Sequence, residues 1–521
     1  MKDLGDKVAS GAAWMMGLRT FQRFMGLIST VILARILVPE DFGLVAMAFA
    51  LYALVEMIGA FGLDLALIRD QKAERHHYDT AWTIKLIYQS LGALALILAA
   101  PHAAAFFDDG RVEAIVYAFA AISFLHGFEN IGIVAFRKEL TFRKEFLFGF
   151  GKKASAVVVT IAMAFYLQSY WALVLGSLTS AIVGLSLSYG MHPFRPRLSL
   201  SGWRDLIGFS AWITFNNAAM YGQGRGPDWI VGRLEGAAGL GAYRVASDIA
   251  KLPSSELYAP IMRAVFPGFA KVSHDLPRLR RGYLLAQGMV TLLTVPAALG
   301  MVGVAAPLIW LLLGENWLVT IPLIQVLAIL GATRILHGNR FSLFMALNKP
   351  YWVGIFVLAD VLITLPLMGY LLWAGYGLEV AVWSKVIAST LLLPFGVMLV
   401  SHFLQMQSKD FFAVVWRPVA ASLAMLGVLL GTSNALPELT SSAAGAIHLL
   451  ALVPVGVATY AIGLVALWFA TGCPPGAEAR ALEMANERGL LRSRWAFPLR
   501  FLLTKTSAPR SSQTAEKKDS P

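Results

Sequence analysis

The chain is poor in charge. Only 14% of its 521 residues are Asp, Glu, Lys or Arg, against about a quarter in an average soluble protein. So few charges cannot cover the surface of a soluble chain this long. With 57% of residues hydrophobic, disorder over most of the length is excluded as well. Cysteine occurs once, at Cys473, which excludes an intrachain disulfide and a multi-cysteine metal site. The nine histidines show no HExxH spacing. No Walker A sequence, GxSxG elbow or Rossmann fingerprint in a strand–helix context is present, so neither a catalytic residue, a metal nor a cofactor is expected.

What is present is apolar length. A spanning helix needs about 20 mostly apolar residues. Such stretches recur at 9–35, 43–66, 79–100, 112–135, 147–168, 170–190, 207–232, 239–264, 281–311, 319–346, 351–374, 378–403, 411–431 and 446–471. The pattern predicts an all-α polytopic membrane protein with about fourteen spans. The N-terminal MKDLGDKVAS has no small-residue cleavage site, so the first span is read as retained. The net charge of +12 does not indicate nucleic acid, because the basic residues fall largely between the apolar stretches. One alternating set of loops holds Arg69, Lys72 and Arg75; Arg137, Lys138, Arg143 and Lys144; Arg195, Arg197 and Arg204; and Lys271, Arg278, Arg280 and Arg281. The other holds Arg111 and Arg233. Lys/Arg-rich loops face the cytoplasm, which places both termini there. Beyond 474 an amphipathic segment runs into a polar, basic tail suited to anionic lipid.

An internal repeat is visible. Arg35, Gly43 and Ala48 reappear 198 residues later as Arg233, Gly241 and Ala246. Both copies fall near the turn between the first two spans of a six-span unit, where glycine lets helix ends approach closely. At the same interval Arg19 and Arg23 align with Asn217 and Tyr221. Two six-helix lobes in parallel repeat are therefore expected at 1–200 and 201–405, with two further helices at 406–473 and a basic tail at 474–521.

Charges inside the spans are the functional clue. Away from span ends lie Arg19, Arg23, Arg225, Arg244, Lys251, Arg334, Arg340 and Lys385, with Glu56, Glu129, Asp228, Asp248 and Asp360. Facing lipid, they would together cost on the order of 40 kcal/mol at roughly 2.5–3.5 kcal/mol each. They must face a hydrated cavity or one another. Helical spacing groups Arg19, Gln22 and Arg23 on one face, and Arg244, Asp248 and Lys251 on another. Arg225–Asp228 and Arg244–Asp248 are equally readable as intrahelical ion pairs, and Arg340 as a snorkelling side chain. The excess of cations suits an anionic cargo, because Arg forks match phosphate oxygens. Arg19, Arg23, Arg225, Arg244, Lys251 and Arg334 are the candidate cavity cations. Glu56, Asp228 and Asp360 are the candidates for an ion that drives cycling. Gly176, Ser180 and Gly184 form a small-residue stripe suited to helix packing.

Several segments resemble bacterial polysaccharide exporters. They are LARILVPEDFGLVAMA (33–48), FRKELTFRKEF (136–146), PDWIVGRLEGAAGLGAYRVASDIAKLP (227–253) and VFPGFAKVSHDLPRLRRGY (265–283). The chain is most similar to the colanic-acid exporter type of oligosaccharide flippase, within the multidrug/oligosaccharidyl-lipid/polysaccharide superfamily. The resemblance covers roughly 5–470. It implies two six-helix lobes around a central cavity and an undecaprenyl-diphosphate-linked sugar repeat as cargo. It also implies an inner-membrane location and work beside polysaccharide polymerase and co-polymerase proteins. Two alternatives remain. A drug antiporter of the same superfamily would share the fold but not a cationic cavity. A membrane polymerase would need a larger outer loop than VPED, LQSYW or LGENW.

Overall fold

The computed structural model describes residues 2–58, 63–70, 72–201, 203 and 211–487. Among these every regular element is helical. In order they are α1 (Lys2–Ile36), α2 (Pro39–Ile58), α3 (Leu63–Arg69), α4 (Arg75–Phe107), α5 (Arg111–Phe128), α6 (Ala135–Lys138), α7 (Phe142–Leu167) and α8 (Trp171–Met191). The second half continues with α9 (Ala211–Ala250), α10 (Leu252–Lys271), α11 (Leu276–Leu312), α12 (Thr320–His337), α13 (Arg340–Ala346), α14 (Tyr351–Trp373) and α15 (Gly377–Phe403). Last come α16 (Ser408–Ala435), α17 (Ser442–Ala470) and α18 (Ala477–Glu487).

Ten helical stretches among the described residues are long and apolar enough to cross a membrane. The protein is a multi-pass membrane protein. The other four expected spans also fall on helix: α1, α2, and the two arms of α9 continued by α10. Residues 59–62 and 204–210, which belong to or precede two of these spans, lie outside the described residues, as does the tail beyond 487. Fourteen spans are consistent with this arrangement.

The helix boundaries follow from local chemistry. Pro39 opens α2, where its missing N–H costs nothing. Asp41 then accepts the Val38 N–H at 3.1 Å and the Tyr170 N–H at 2.9 Å, tying the α1–α2 turn to the α7–α8 turn. That double role accounts for the VPED motif. Asp275 caps α11 through the Arg278 N–H, and Ser441 caps α17 through the Ala444 N–H. Gly236 breaks α9 with φ 69° and ψ −170°, a conformation open to glycine alone. The break folds α9 into a hairpin, since Arg244 reaches back to Asp228 and to the Gly224 carbonyl. Pro253 sits in the first turn of α10, so the expected eighth span is two helices in series.

The turns at the two ends of the bundle differ in charge. One end carries the basic connections before α4, around α6 and between α10 and α11. The other carries Glu40, Asp41, Asp108, Asp109, Glu235, Glu315, Glu379 and Glu438 in or beside its turns. At this acidic end the two halves meet. Leu44, Met47 and Ala48 of α2 pack with Leu240, Tyr243 and Ala246 of α9 in an apolar cluster that also holds Trp317. Phe42 meets Trp317 edge-on at 5.2 Å, and Phe107 stacks on Trp229 at 5.5 Å. The other apolar clusters among the described residues each draw on one half of the chain.

The repeat becomes a physical contact here. A Cβ on Gly43 would overlap the Ala237 carbonyl oxygen, and a Cβ on Gly241 would overlap that of Pro39. Pro39 and Ala237 are separated by the same 198 residues as the two glycines. Two helices touching reciprocally at equivalent residues are related by a local two-fold axis. The glycines therefore sit one turn inside their helices, where backbone meets backbone. In the N-terminal half, Gly176 lies against Thr160 of α7, as expected of a packing stripe.

Candidate functional site: a cationic face between the two halves

The in-span charges gather along α1, α9, α10 and the helices behind them. Asp228 is fully buried and takes two arginines, Arg225 at 3.4 Å on its own arm and Arg244 from the other arm of the hairpin. Arg244 thus pairs across the hairpin, and Asp248 on its own helix face is exposed. The Arg225 guanidinium also lies 4.5 Å over the Phe49 ring of α2. Tyr221, between these elements, donates to the Ala50 carbonyl and accepts from Trp229 Nε1, each at 2.8 Å. Lys251, exposed at the end of α9, lies within electrostatic range of Asp248, Arg244, Arg334 and Arg225.

On α1, Arg19 is exposed. Arg23 reaches α10, pairing with Glu256 and donating to Ser255 Oγ. Glu256 did not stand out in the sequence, because its partner lies more than two hundred residues away. Arg334 of α12 pairs with Asp360 of α14 at 3.4 Å, and Gln223 donates to the same oxygen at 2.7 Å. Lys385, nearly buried, donates to the Tyr243 hydroxyl at 2.5 Å. Glu56 stands apart in the N-terminal half, where Gln89 donates to it at 3.4 Å. Nearby, Glu129 is ringed by Lys152 at 3.0 Å, Lys85 at 3.3 Å and His126 at 3.9 Å. The two lysines lie near expected span ends, which hid their role in the sequence.

The structure therefore brings Arg225, Asp228, Arg244 and Lys251 together, with Arg334 and Asp360 alongside and Arg23 across from them on α1. Glu56 belongs to a separate polar cluster. Every fixed acid near the face already has a cationic partner except Asp248, which the described residues leave exposed. Such a face can hold the negative part of a cargo; the halves pack through apolar residues where α2 meets α9, and α1 also reaches α10 through Arg23.

The family model for polysaccharide biosynthesis proteins matches residues 32–322, more than half of the chain. The chain belongs to the polysaccharide biosynthesis protein family. Among curated members of related sequence, the succinoglycan biosynthesis transport protein ExoT of Rhizobium meliloti is 28% identical over 62% of this chain and 66% of its own length. The lipopolysaccharide biosynthesis protein WzxC of Escherichia coli is 25% identical over 66% of this chain and 70% of its own. The teichuronic acid biosynthesis protein TuaB of Bacillus subtilis is 25% identical over 71% and 78%. The matches span about two-thirds to three-quarters of these relatives. Among solved structures, the lipid II flippase MurJ in an inward closed conformation superposes with TM-score 0.66 at 15% identity, covering 88% of this chain and 99% of that one. An inward-facing multidrug resistance MATE family transporter gives 0.56, also at 15%, covering 73% and 95%. At that identity the likeness establishes the fold, so this member of the polysaccharide biosynthesis family has the fold of those transporters.

Proposed function

We propose that the protein flips undecaprenyl-diphosphate-linked oligosaccharide repeat units across the bacterial inner membrane for exopolysaccharide or lipopolysaccharide synthesis. The observation that carries the reading is the cationic face of Arg225, Arg244 and Lys251, set between halves whose apolar contact lies at one end. Residues 1–200 and 201–405 act as two lobes, 406–473 as an appended helix pair and 474–521 as a cytoplasmic tail. The basic end faces the cytoplasm by the charge rule for loops, so both termini are cytoplasmic and the face is reached from the leaflet where the cargo is made. Arg19, Arg23, Arg225, Arg244, Lys251 and Arg334 replace the hydration of the diphosphate, while the polyprenyl chain stays in lipid. Rocking of the lobes then moves the opening to the other side. Glu56, Asp228 and Asp360 are the carboxylates available to a coupling cation, though Asp228 already holds two arginines. The product goes to a polysaccharide polymerase and its co-polymerase, and anionic lipids bind the basic loops and tail.

The test replaces Arg19 and Lys251, the two exposed cations, with Ala in a strain whose surface polymer depends on this protein. Polymer should fall at least tenfold with the protein at normal level, and lipid-linked precursor should accumulate on the cytoplasmic leaflet. Undiminished polymer would overturn the cavity assignment. Precursor that still reaches the outer leaflet in a strain lacking the protein would overturn the flippase reading itself. A drug antiporter, the alternative favoured by likeness to the multidrug transporter fold, predicts uptake of cationic drugs by proteoliposomes. The surplus of cations on the face opposes that cargo.

A further inference from the structure

Behind the cationic face, inside the C-terminal half, lies an open cavity of about 240 Å³ lined by residues of α9, α12, α13, α14 and α15. Its polar lining is Gln223, Arg334, His337, Arg340, Asp360 and Ser389. The first argument is charge. Asp360 is engaged by Gln223 and Arg334, whereas Arg340 has no ion-pair partner among the described residues. Its guanidinium lies 4.1 Å over the Phe356 ring, its Nε donates to the His337 carbonyl at 3.1 Å, and its Nη1 is buried without a hydrogen-bond partner. The lining thus holds one more fixed cation than anion.

The second argument is the unused polar atoms. Ser389 is 4% exposed, and its Oγ has no partner. His337 Nε2 bonds the Ser389 carbonyl at 2.8 Å, and its Nδ1 is buried without a partner. Buried polar atoms are almost always satisfied, so three orphans around one cavity point to a ligand that supplies the missing bonds. Because Nε2 meets a carbonyl it carries a hydrogen, so that in the neutral ring Nδ1 is an acceptor. Arginine donors, a serine hydroxyl and one acceptor suit an oxyanion that bears a proton on one oxygen. The volume is below the roughly 300–1,000 Å³ of pockets for drug-sized molecules; it fits a headgroup and excludes a sugar repeat.

We propose that this cavity binds a phosphate-type oxyanion, the chemistry shared by inorganic phosphate, diphosphate and a polyprenyl diphosphate headgroup. Asp360 lies nine residues into α14 from the basic end, a depth of about 14 Å at 1.5 Å per residue. That places the site within one leaflet of a bilayer core about 30 Å thick. Only the lipid source rests on the flippase reading; the oxyanion site stands without it.

The experiment uses the full chain in nanodiscs and follows diphosphate binding by calorimetry. Three variants probe the site. Arg340→Gln removes the free cation. Gly396→Ala places a Cβ where the Arg340 guanidinium now lies and displaces it with its charge intact. Ser389→Ala removes one orphan and leaves the packing nearly unchanged. Diphosphate should bind the native chain, Arg340→Gln and Gly396→Ala should each weaken it at least tenfold, and Ser389→Ala should weaken it severalfold. Arg233→Ala, at an exposed residue of the acidic end, should bind as the native chain does. If a folding defect removes the first two variants, Ser389→Ala carries the test. Competition by a short-chain polyprenyl diphosphate identifies the lipid headgroup as ligand; no competition identifies the free anion. Native protein that binds neither diphosphate nor phosphate, or folded variants that all bind like the native chain, overturns the site. Neither result touches export measured in cells, so the flippase reading falls or stands on its own test.

Discussion

Arg35 shows how much one side chain can hold between the two halves. From the last turn of α1 it donates to the carbonyls of Trp310, Leu311 and Leu312 and to Ser442 Oγ. Those carbonyls end α11 and lack intrahelical partners, so the guanidinium both satisfies them and meets the negative end of the helix dipole. Trp317 Nε1 returns a bond to the Ala34 carbonyl at 2.7 Å. Arg35→Ala is expected to loosen the acidic end. Spin labels on α1 and α11, introduced after Cys473→Ser, should show a longer or broader distance distribution than in the native chain. Asp228 makes a different point. Asp228→Asn takes from the half-buried Arg225 and Arg244 the fully buried carboxylate that both engage; breaking a fully buried pair costs about 3–5 kcal/mol, and the partial exposure of the arginines puts this change at or below the lower end of that range. A fall in melting temperature is expected, and Asp248→Asn, at an exposed acid, should cause none. At the acidic turn, the bond from Arg111 holds the Asp109 carboxyl below its usual range. A depressed folded pKa gives stability above the unfolded value of about 3.9 that is lost as pH falls through the folded value. The pair is partly exposed, so the effect is at most about 1 kcal/mol; Asp109→Asn should remove it from the acid limb of the melting curve. Few of these partners were legible in the sequence. In-span charge identified Arg225, Asp228, Arg244 and Arg334, because its cost is local and countable. Glu256 was hidden because the Arg23 contact joins distant segments, which leaves no spacing to read.

Helices were more legible than their contacts. Apolar length located the spans, and the recurrence of Arg35, Gly43 and Ala48 at Arg233, Gly241 and Ala246 exposed the repeat. The role of the glycines was not in the pattern. A glycine beside a turn reads as a turn residue, whereas Gly43 and Gly241 are where α2 and α9 press backbone on backbone. Gly236 escaped for the opposite reason: three glycines in GAAGLG share one composition, and only the fold shows which one takes φ 69°. Gly43→Ala and Gly241→Ala should each force α2 and α9 apart, since the obstructing atom is a main-chain carbonyl that has no rotamer to escape into. Both variants should be destabilised to a similar degree, as the local two-fold axis requires, and both should increase labelling of α2 by a thiol reagent at an introduced Ala46→Cys. Gly224→Ala, which meets open space, should differ only by helix propensity. Unequal effects at the paired glycines would show that the two halves do not share the contact evenly.

In the transport cycle proposed above, the distribution of charge over the bundle sets a direction. The cationic face lies between the basic end and the α2–α9 contact. Beyond that contact, at the acidic end, a cavity of about 620 Å³ is lined by Glu40, Glu235 and Glu379 among apolar residues from both halves. A diphosphate drawn to the arginines would be repelled by those carboxylates once the halves parted, so the arrangement favours release over retention on that side. The closed contact must then open once in each cycle. Val38 and Val319 line the same cavity from opposite halves and are exposed. With Cys473→Ser as background, Val38→Cys and Val319→Cys joined by a short bifunctional thiol reagent should stop polymer export, and a cleavable reagent should restore it after reduction. Diphosphate binding in the C-terminal cavity should survive the same cross-link, because its walls come from one half and do not part. Export that continues through a quantitatively cross-linked acidic end would mean the cargo passes elsewhere, and the rocking cycle would have to be abandoned.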